Sequence, residues 1–263
     1  MAQLRYLILL LSIYAMNVYS CESPYELKIG GFSNSASVVS FWSDFTKSIS
    51  SHTLCPTNIV PAPNSEAHIL SMMKLDGDMF FVPGYYAAPL KKYGLKPILK
   101  ISTPTKSYLV TRKELDPTDV STLIGKKISM VSKYSNIYFA MIELLTAKGI
   151  SEDQVNFIFD QTLESNAMNI IKGDTDAAVV FSMIFDNLPD IIKQKVNHIT
   201  LMDHKTTGYL LIKEDAPINL VKAIKASFDK INILKWEIFE KDAPETEFSD
   251  TFESRLLHLK HTP

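Results

Sequence analysis

The sequence predicts an α/β protein of two lobes, each a mostly parallel sheet flanked by helices, with a hinge between them. Three observations predict it. Short apolar runs alternate with segments of helical apolar spacing along most of the chain, which is the pattern of βαβ units. The 263 residues are 46% hydrophobic, enough for one large core or two smaller ones, since a domain takes roughly 100–200 residues. Finally, YLVTRKELDP from Tyr108 is echoed by YLLIKEDAP from Tyr209: an apolar strand, mixed charges, then a proline that starts a helix. The echo has no fixed period, so it suits two similar lobes better than a solenoid. The lobes are placed at 22–112 with 206–263 and at 113–205, with the hinge near Lys113–Pro117 and His204–Gly208.

The elements follow in order. MAQLRYLILLLSIYAMNVYSC carries Arg5, an apolar stretch from Tyr6 to about Met16, and small Ser20 before Cys21. This is the layout of a secretory signal over residues 1–20, and the stretch is shorter than the roughly 20 residues of a membrane span. ELKIGGF reads as a strand closed by Gly30 and Gly31. In the next segment Val38, Phe41, Trp42 and Phe45 form a helical stripe. CPTNIV is a short strand and SEAHILSMMKL a helix. GDMFFVPGYYAAPLKKYG gives a strand, a Pro83-Gly84 break and a short helix. KPILKIS and KSYLVTRKEL are strands, DPTDVSTLIG a capped short helix, and KKISMV another strand. Ile137, Ala140, Met141, Leu144 and Leu145 set the phase of a helix that begins near Asn136, with Ser135 as N-cap. QVNFIF, TDAAVVF, VNHITLM and GYLLIKED add four strands. Pro217 to about Ile231 reads as a helix, and the tail from Trp236 as an amphipathic helix.

Composition narrows the function. A net charge of -2 gives no basic field for nucleic acid. No G-x-S-x-G, H-E-x-x-H or G-x-x-x-x-G-K-[ST] motif is present, so neither an enzyme nor a cofactor is expected. The six histidines, His52, His68, His198, His204, His258 and His261, read as surface residues, and His258 with His261 is weak metal evidence. GDTD (Gly173–Asp176) reads as a polar turn. Two cysteines exclude a cysteine-rich zinc site. Cys21 and Cys55 could pair in an oxidising compartment. Alternatively VYSC is similar to a lipobox, with Tyr19 where a small residue is usual, and Cys21 is then lipidated.

Three strand-to-helix junctions carry clustered polar groups: Ser33, Asn34 and Ser35 after the first strand, Tyr85 and Tyr86 after Pro83-Gly84, and Ser132, Ser135, Asn136 and Tyr138 after KKISMV. Ligands gather at the carboxyl edge of open α/β sheets, and the first turn of a helix offers unpaired N–H groups to anions. These nine residues are the candidate ligand-binding set. A helix cap is the plainer reading of Ser135.

GDMFFVPGYY, DVSTLIGKKISMVSKYSNIYFAMIELLTAKGI and KGDTDAAVV, in this order, resemble the periplasmic substrate-binding proteins of phosphate, phosphite and phosphonate uptake, over nearly all of the chain after the leader. The resemblance implies the type II two-lobe fold and an exported solute-binding protein, periplasmic or membrane-anchored. It implies a monomer that delivers a small, anionic or otherwise polar ligand to an ABC importer permease. At the first junction Pro83 and Tyr86 match the family's Gly-Pro-x-x-Tyr, while Val82 replaces its glycine. At the second, Tyr134-Ser135-Asn136-Ile137-Tyr138 stands where phosphonate binders carry Ser-Thr-Ser-Gly-Tyr, so the hydroxyl cradle is depleted. The alternative is a ligand-sensing partner of a membrane receptor on the same fold.

Overall fold

A computed structural model describes residues 21–30, 36–101, 104–159, 163–204, 208–228, 236–245 and 248–260. In chain order the elements are β1 (Tyr25–Ile29), α1 (Ala36–Thr53), β2 (Thr57–Pro61), α2 (Ser65–Met73), β3 (Met79–Val82), α3 (Ala87–Leu90) and β4 (Leu95–Ile101). Next come β5 (Thr105–Arg112), β6 (Lys127–Met130), α4 (Asn136–Thr146), β7 (Asn156–Phe159), α5 (Leu163–Lys172) and β8 (Ala177–Phe181). The chain closes with α6 (Ser182–Phe185), α7 (Asp190–Lys193), β9 (Val196–His204), β10 (Gly208–Lys213), α8 (Ile218–Phe228), β11 (Trp236–Ile238) and α9 (Ser249–Lys260).

The strands form two sheets, β11-β4-β10-β3-β1-β2 and β7-β6-β8-β5-β9. Each sheet is mixed. Parallel pairing of β1 with β2 and β3, and of β6 with β7 and β8, carries the βαβ part. Antiparallel pairing brings in the strands that enter each sheet from the other: β10 lies between β3 and β4, and β5 between β8 and β9. Gly208 opens the returning strand because a Cβ there would stand 2.6 Å from the Val82 carbonyl oxygen.

The sheets move one predicted boundary. Thr105–Arg112 pairs only within the second sheet, so the first crossing lies between Ile101 and Thr105 and not at Lys113–Pro117. That segment is tied into the second lobe, because Asn197 Nδ2 donates to the Lys113 and Leu115 carbonyls at 3.0 and 2.9 Å. The second crossing leads from β9 to β10, and residues 205–207 lie outside the described residues. The sequence echo marks β5 and β10, the first strand after each crossing, so its two copies belong to different lobes.

The tail also differs from its sequence reading. Trp236–Ile238 adds an edge strand to β4, because the Trp236 ring packs on Trp42 and Phe81, at centroid distances of 5.6 and 6.3 Å. Only Ser249–Lys260 is helical among the described tail residues.

Burial divides into three clusters. One covers the face of the first sheet under α1 and α8, with Trp42, Phe45, Ile49, Leu220 and Ile224. A smaller one lies on the second sheet under α5, with Val110, Ala167, Ile170 and Val180. The largest is shared between the sheets. It joins Phe80 and Val82 of the first to Ile128, Met130 and Val179 of the second through Tyr85, Tyr86, Tyr134, Phe139 and Phe252. Cys21 and Cys55 are joined in a disulfide with Cα atoms 5.2 Å apart, an ordinary spacing for one. Among the described residues no helix is long and apolar enough to cross a membrane.

Candidate functional site

The site grows from the end of β3 in the first sheet and the end of β6 in the second. Pro83, extended at φ -59 and ψ 154, ends β3 and starts the 3-10 turn Gly84–Tyr86. This sends both tyrosine rings inward, where they are buried. On the second sheet β6 stops at Met130, and Ser132 to Ser135 lead into α4. Ser135 is the N-cap. Its Oγ accepts the Tyr138 N–H at 3.2 Å and donates to the Ser132 carbonyl at 2.7 Å, satisfying one of the orphan donors of a helix start. Ser132 Oγ in turn accepts the Tyr134 N–H at 3.1 Å.

Two of the three predicted junctions meet here. The hydroxyls of Tyr85 and Tyr86 donate across the lobes to the Tyr134 carbonyl, at 3.1 and 3.4 Å. Burial raises both phenols well above the ordinary tyrosine range, so both stay neutral. Ser33, Asn34 and Ser35 lie outside the described residues. Tyr138 diverges from the group: its hydroxyl donates to the Glu152 carboxylate, and its ring packs on Phe157 and Phe159.

The sequence reading missed four contributors. His204, the last residue of β9, is buried and not on the surface. Its Nε2 lies 2.6 Å from Ser107 Oγ and its Nδ1 lies 3.3 Å from Asn136 Nδ2. An amide nitrogen only donates, so Nδ1 accepts and Nε2 carries the proton. Burial lowers the His204 pKa to about 4. Tyr134 supplies the carbonyl that the tyrosines meet. From the tail, Phe252 stacks on Tyr86 at 3.8 Å, and Arg255 lies over the Tyr138 and Phe139 rings at 5.7 and 5.9 Å. Helical spacing points to an apolar face on α9, but no sequence signal says which lobe that face covers.

His68 is a second buried histidine that the sequence reading placed on the surface. Its Nε2 bonds the Phe81 carbonyl at 2.9 Å, and burial lowers its pKa to about 4. The GDTD turn is structural: Asp176 Oδ2 accepts the Lys127 N–H at 2.9 Å, and Arg112 Nε donates to the Thr175 carbonyl at 3.0 Å. Among the described residues no group of three His, Cys, Asp or Glu side chains is placed to hold a metal.

Two mixed α/β lobes joined by two crossings, with polar strand ends facing each other, are the setting in which the comparisons fall. Residues 32–233 match the profile of the phosphonate periplasmic substrate-binding proteins of ABC transporters. The chain belongs to this family. As a substrate-binding protein it works outside the cytoplasm, holds a small solute and delivers it to an ABC importer, a transport role. Solved structures agree on the fold. PhnD1 from Prochlorococcus marinus, in complex with methylphosphonate, aligns with a TM-score of 0.70 at 12% identity over 89% of this chain and 98% of its own. The binding-protein component of an ABC phosphonate transporter from Pseudomonas aeruginosa aligns at 0.69 with 11% identity, over 89% and 88%. A Xanthomonas citri protein bound to ATP aligns at 0.62 with 10% identity, over 91% and 98%. A search of curated proteins found no match.

Two outcomes follow from the site's chemistry. Ser135→Ala removes a cap and should lower stability by about 1 kcal/mol, read as the midpoint of urea unfolding. An unchanged midpoint would show that the cap contributes nothing. The histidines set a pH dependence. Folded His68 and His204 titrate at about 4 against 6.5 unfolded, so between these values the unfolded chain binds more protons. Their contribution is full above pH 6.5, falls as pH drops through the window and is flat below about 4. Thermal melts should show this fall, with a shallower slope for His204→Gln; parallel slopes would place His204 in water.

Proposed function

We propose that this substrate-binding protein closes its lobes over a small polar solute held between the Gly84–Tyr86 turn and the start of α4. The lobes are 22–101 with 208–263 and 105–204. The observation that carries the reading is the meeting of the Tyr85 and Tyr86 hydroxyls with the Tyr134 carbonyl of the opposite lobe. Polar groups on opposite lobes share hydrogen bonds when the lobes are together and expose them when they part. In this reading Tyr86, Ser132 and Asn136 are the ligand's polar partners. Tyr138 and Ser135 hold α4 in place. Phosphonate-like anions and other small polar solutes are the candidate ligands. Closure works as a switch only if the solute favours the closed form over the open one.

A thermal-shift panel of oxyanions, carboxylates, amino acids and vitamins should yield at least one stabilising solute. X-ray scattering should then show a wider particle without that solute and a contraction with it. A solute that binds without changing the radius of gyration would refute closure.

We also propose that the chain is exported and that residues 1–20 are removed. The Cys21–Cys55 disulfide supports an oxidising compartment and occupies the thiol that lipidation of Cys21 requires. The intact mass of native protein should correspond to a chain starting near Cys21 with two hydrogens lost. A mass that includes the leader or a diacylglyceryl group would overturn this reading.

A further inference from the structure

Ser107, His204 and Asn136 form a hydrogen-bonded chain whose direction is fixed by the chemistry of its members. Asn136 Nδ2 lies 3.7 Å from Met202 Sδ and 3.3 Å from His204 Nδ1. Its two hydrogens thus have two acceptors, a thioether sulfur and a bare ring nitrogen. On the far side of the ring, His204 Nε2 meets Ser107 Oγ at 2.6 Å, and Ser107 is fully buried. Turning the amide over would set its oxygen against the sulfur and against the bare nitrogen, with no hydrogen between them. The amide therefore has one orientation. Nδ2 faces His204, and Oδ1 lies on the opposite side.

That oxygen is available. Asn136 is half-buried, and its Oδ1 has no hydrogen-bond partner among the described residues. The residue stands just after Tyr134, whose carbonyl takes the two phenols of the other lobe. The hydroxyls around it already have protein partners: Ser135 Oγ in the cap and Ser132 Oγ on the Tyr134 N–H. His204 keeps Nδ1 free of a proton near neutral pH, since burial lowers its pKa to about 4. Asp203, the charge that bears on it, is paired with Lys106 at 3.5 Å. The other faces of the ring meet uncharged groups: Ser107 from β5, Asn136 from α4 and the Phe181 ring from β8 at 5.2 Å.

We infer that His204 is a positioning residue for solute recognition: through its bare Nδ1 it turns the Asn136 amide so that the carboxamide oxygen, and not the nitrogen, is offered to the solute. The solutes preferred at this point bring an O–H or N–H donor to Asn136 Oδ1. Ser107 completes the arrangement by taking the proton on Nε2, which leaves the other ring nitrogen as the acceptor. The inference rests on the proposal that the solute binds between the Gly84–Tyr86 turn and the start of α4.

The test has two arms on the full mature chain. Nitrogen-15 spectra of the histidine rings at neutral pH should show His204 protonated at Nε2 alone. A proton on Nδ1, alone or on both nitrogens, overturns the inference, and this arm needs no variant that has to fold. Titration calorimetry then compares hydroxymethylphosphonate with ethylphosphonate, two probes of nearly the same size that differ in one hydroxyl donor. The parent protein should bind the hydroxyl probe at least about fivefold more tightly, the scale of one net hydrogen bond. His204→Gln supplies a side-chain oxygen that accepts from the same amide, so it should keep that preference. His204→Leu supplies no acceptor and should lose it. No preference in the parent, a preference that survives in His204→Leu, its loss in His204→Gln, or no binding of either probe overturns the inference. A solute from the thermal-shift panel that contracts the particle would still uphold the cleft reading in each of those cases, so the two fail separately.

Discussion

The carbonyl of Tyr134 is the point on which the two lobes meet. It lies in a loop where Ser132 and Ser135 are hydrogen-bonded to the chain itself, and two buried phenols of the other lobe reach it. A carbonyl so far from water costs free energy unless it is paired. The aromatic rings that deliver the hydroxyls are therefore tied to the loop for a polar reason as well as an apolar one. The shared core follows from this. Phe80 and Val82 below the tyrosines, and Met130 and Phe139 beside the loop, pack into one cluster that ignores the boundary between lobes.

A core of this kind constrains how the protein moves. The faces under α1 and α8, and under α5, belong to single lobes and travel with them. The shared cluster cannot. Opening must part Tyr85 from Phe139 and uncover apolar surface at about 25 cal/mol per Å², so the resting position of the lobes is a balance between that burial and the hydration of the polar strand ends. In the proposed closure, a solute would shift the balance by replacing protein hydrogen bonds with its own.

Much of the fold was legible in the chain. Strand and helix order followed from period, and the α4 start from the Ser135 cap and the Ile137 phase. The junctions at Tyr85–Tyr86 and Ser132–Asn136 stood out as polar groups at strand ends. The first crossing was misplaced because an echo shows that two strands are equivalent, not which sheet each one joins; that depends on the pairing of β5 with β8 and β9. His68 and His204 were hidden for a related reason. A histidine in a strand or helix looks the same whether its face meets water or a carbonyl, and the partners Phe81 and Ser107 lie far along the chain. Tyr138 matched a pattern in sequence, but helical rotation turns it toward Glu152.

The tail gives the family boundary a physical meaning. The family match ends at residue 233, yet Phe248, Phe252, Leu256 and Leu259 beyond it are buried in the shared core. Lys91 and Lys92 hold this tail to the first lobe through Asp242 and Glu253. A chain shortened to the family boundary would lose more than an appendage. The outer face of the Tyr86 ring would lie open to solvent, and α4 would lose its cover of Phe248 and Arg255. The unit that folds is longer than the unit that defines kinship, and the extra length is spent beside the junction of the two lobes.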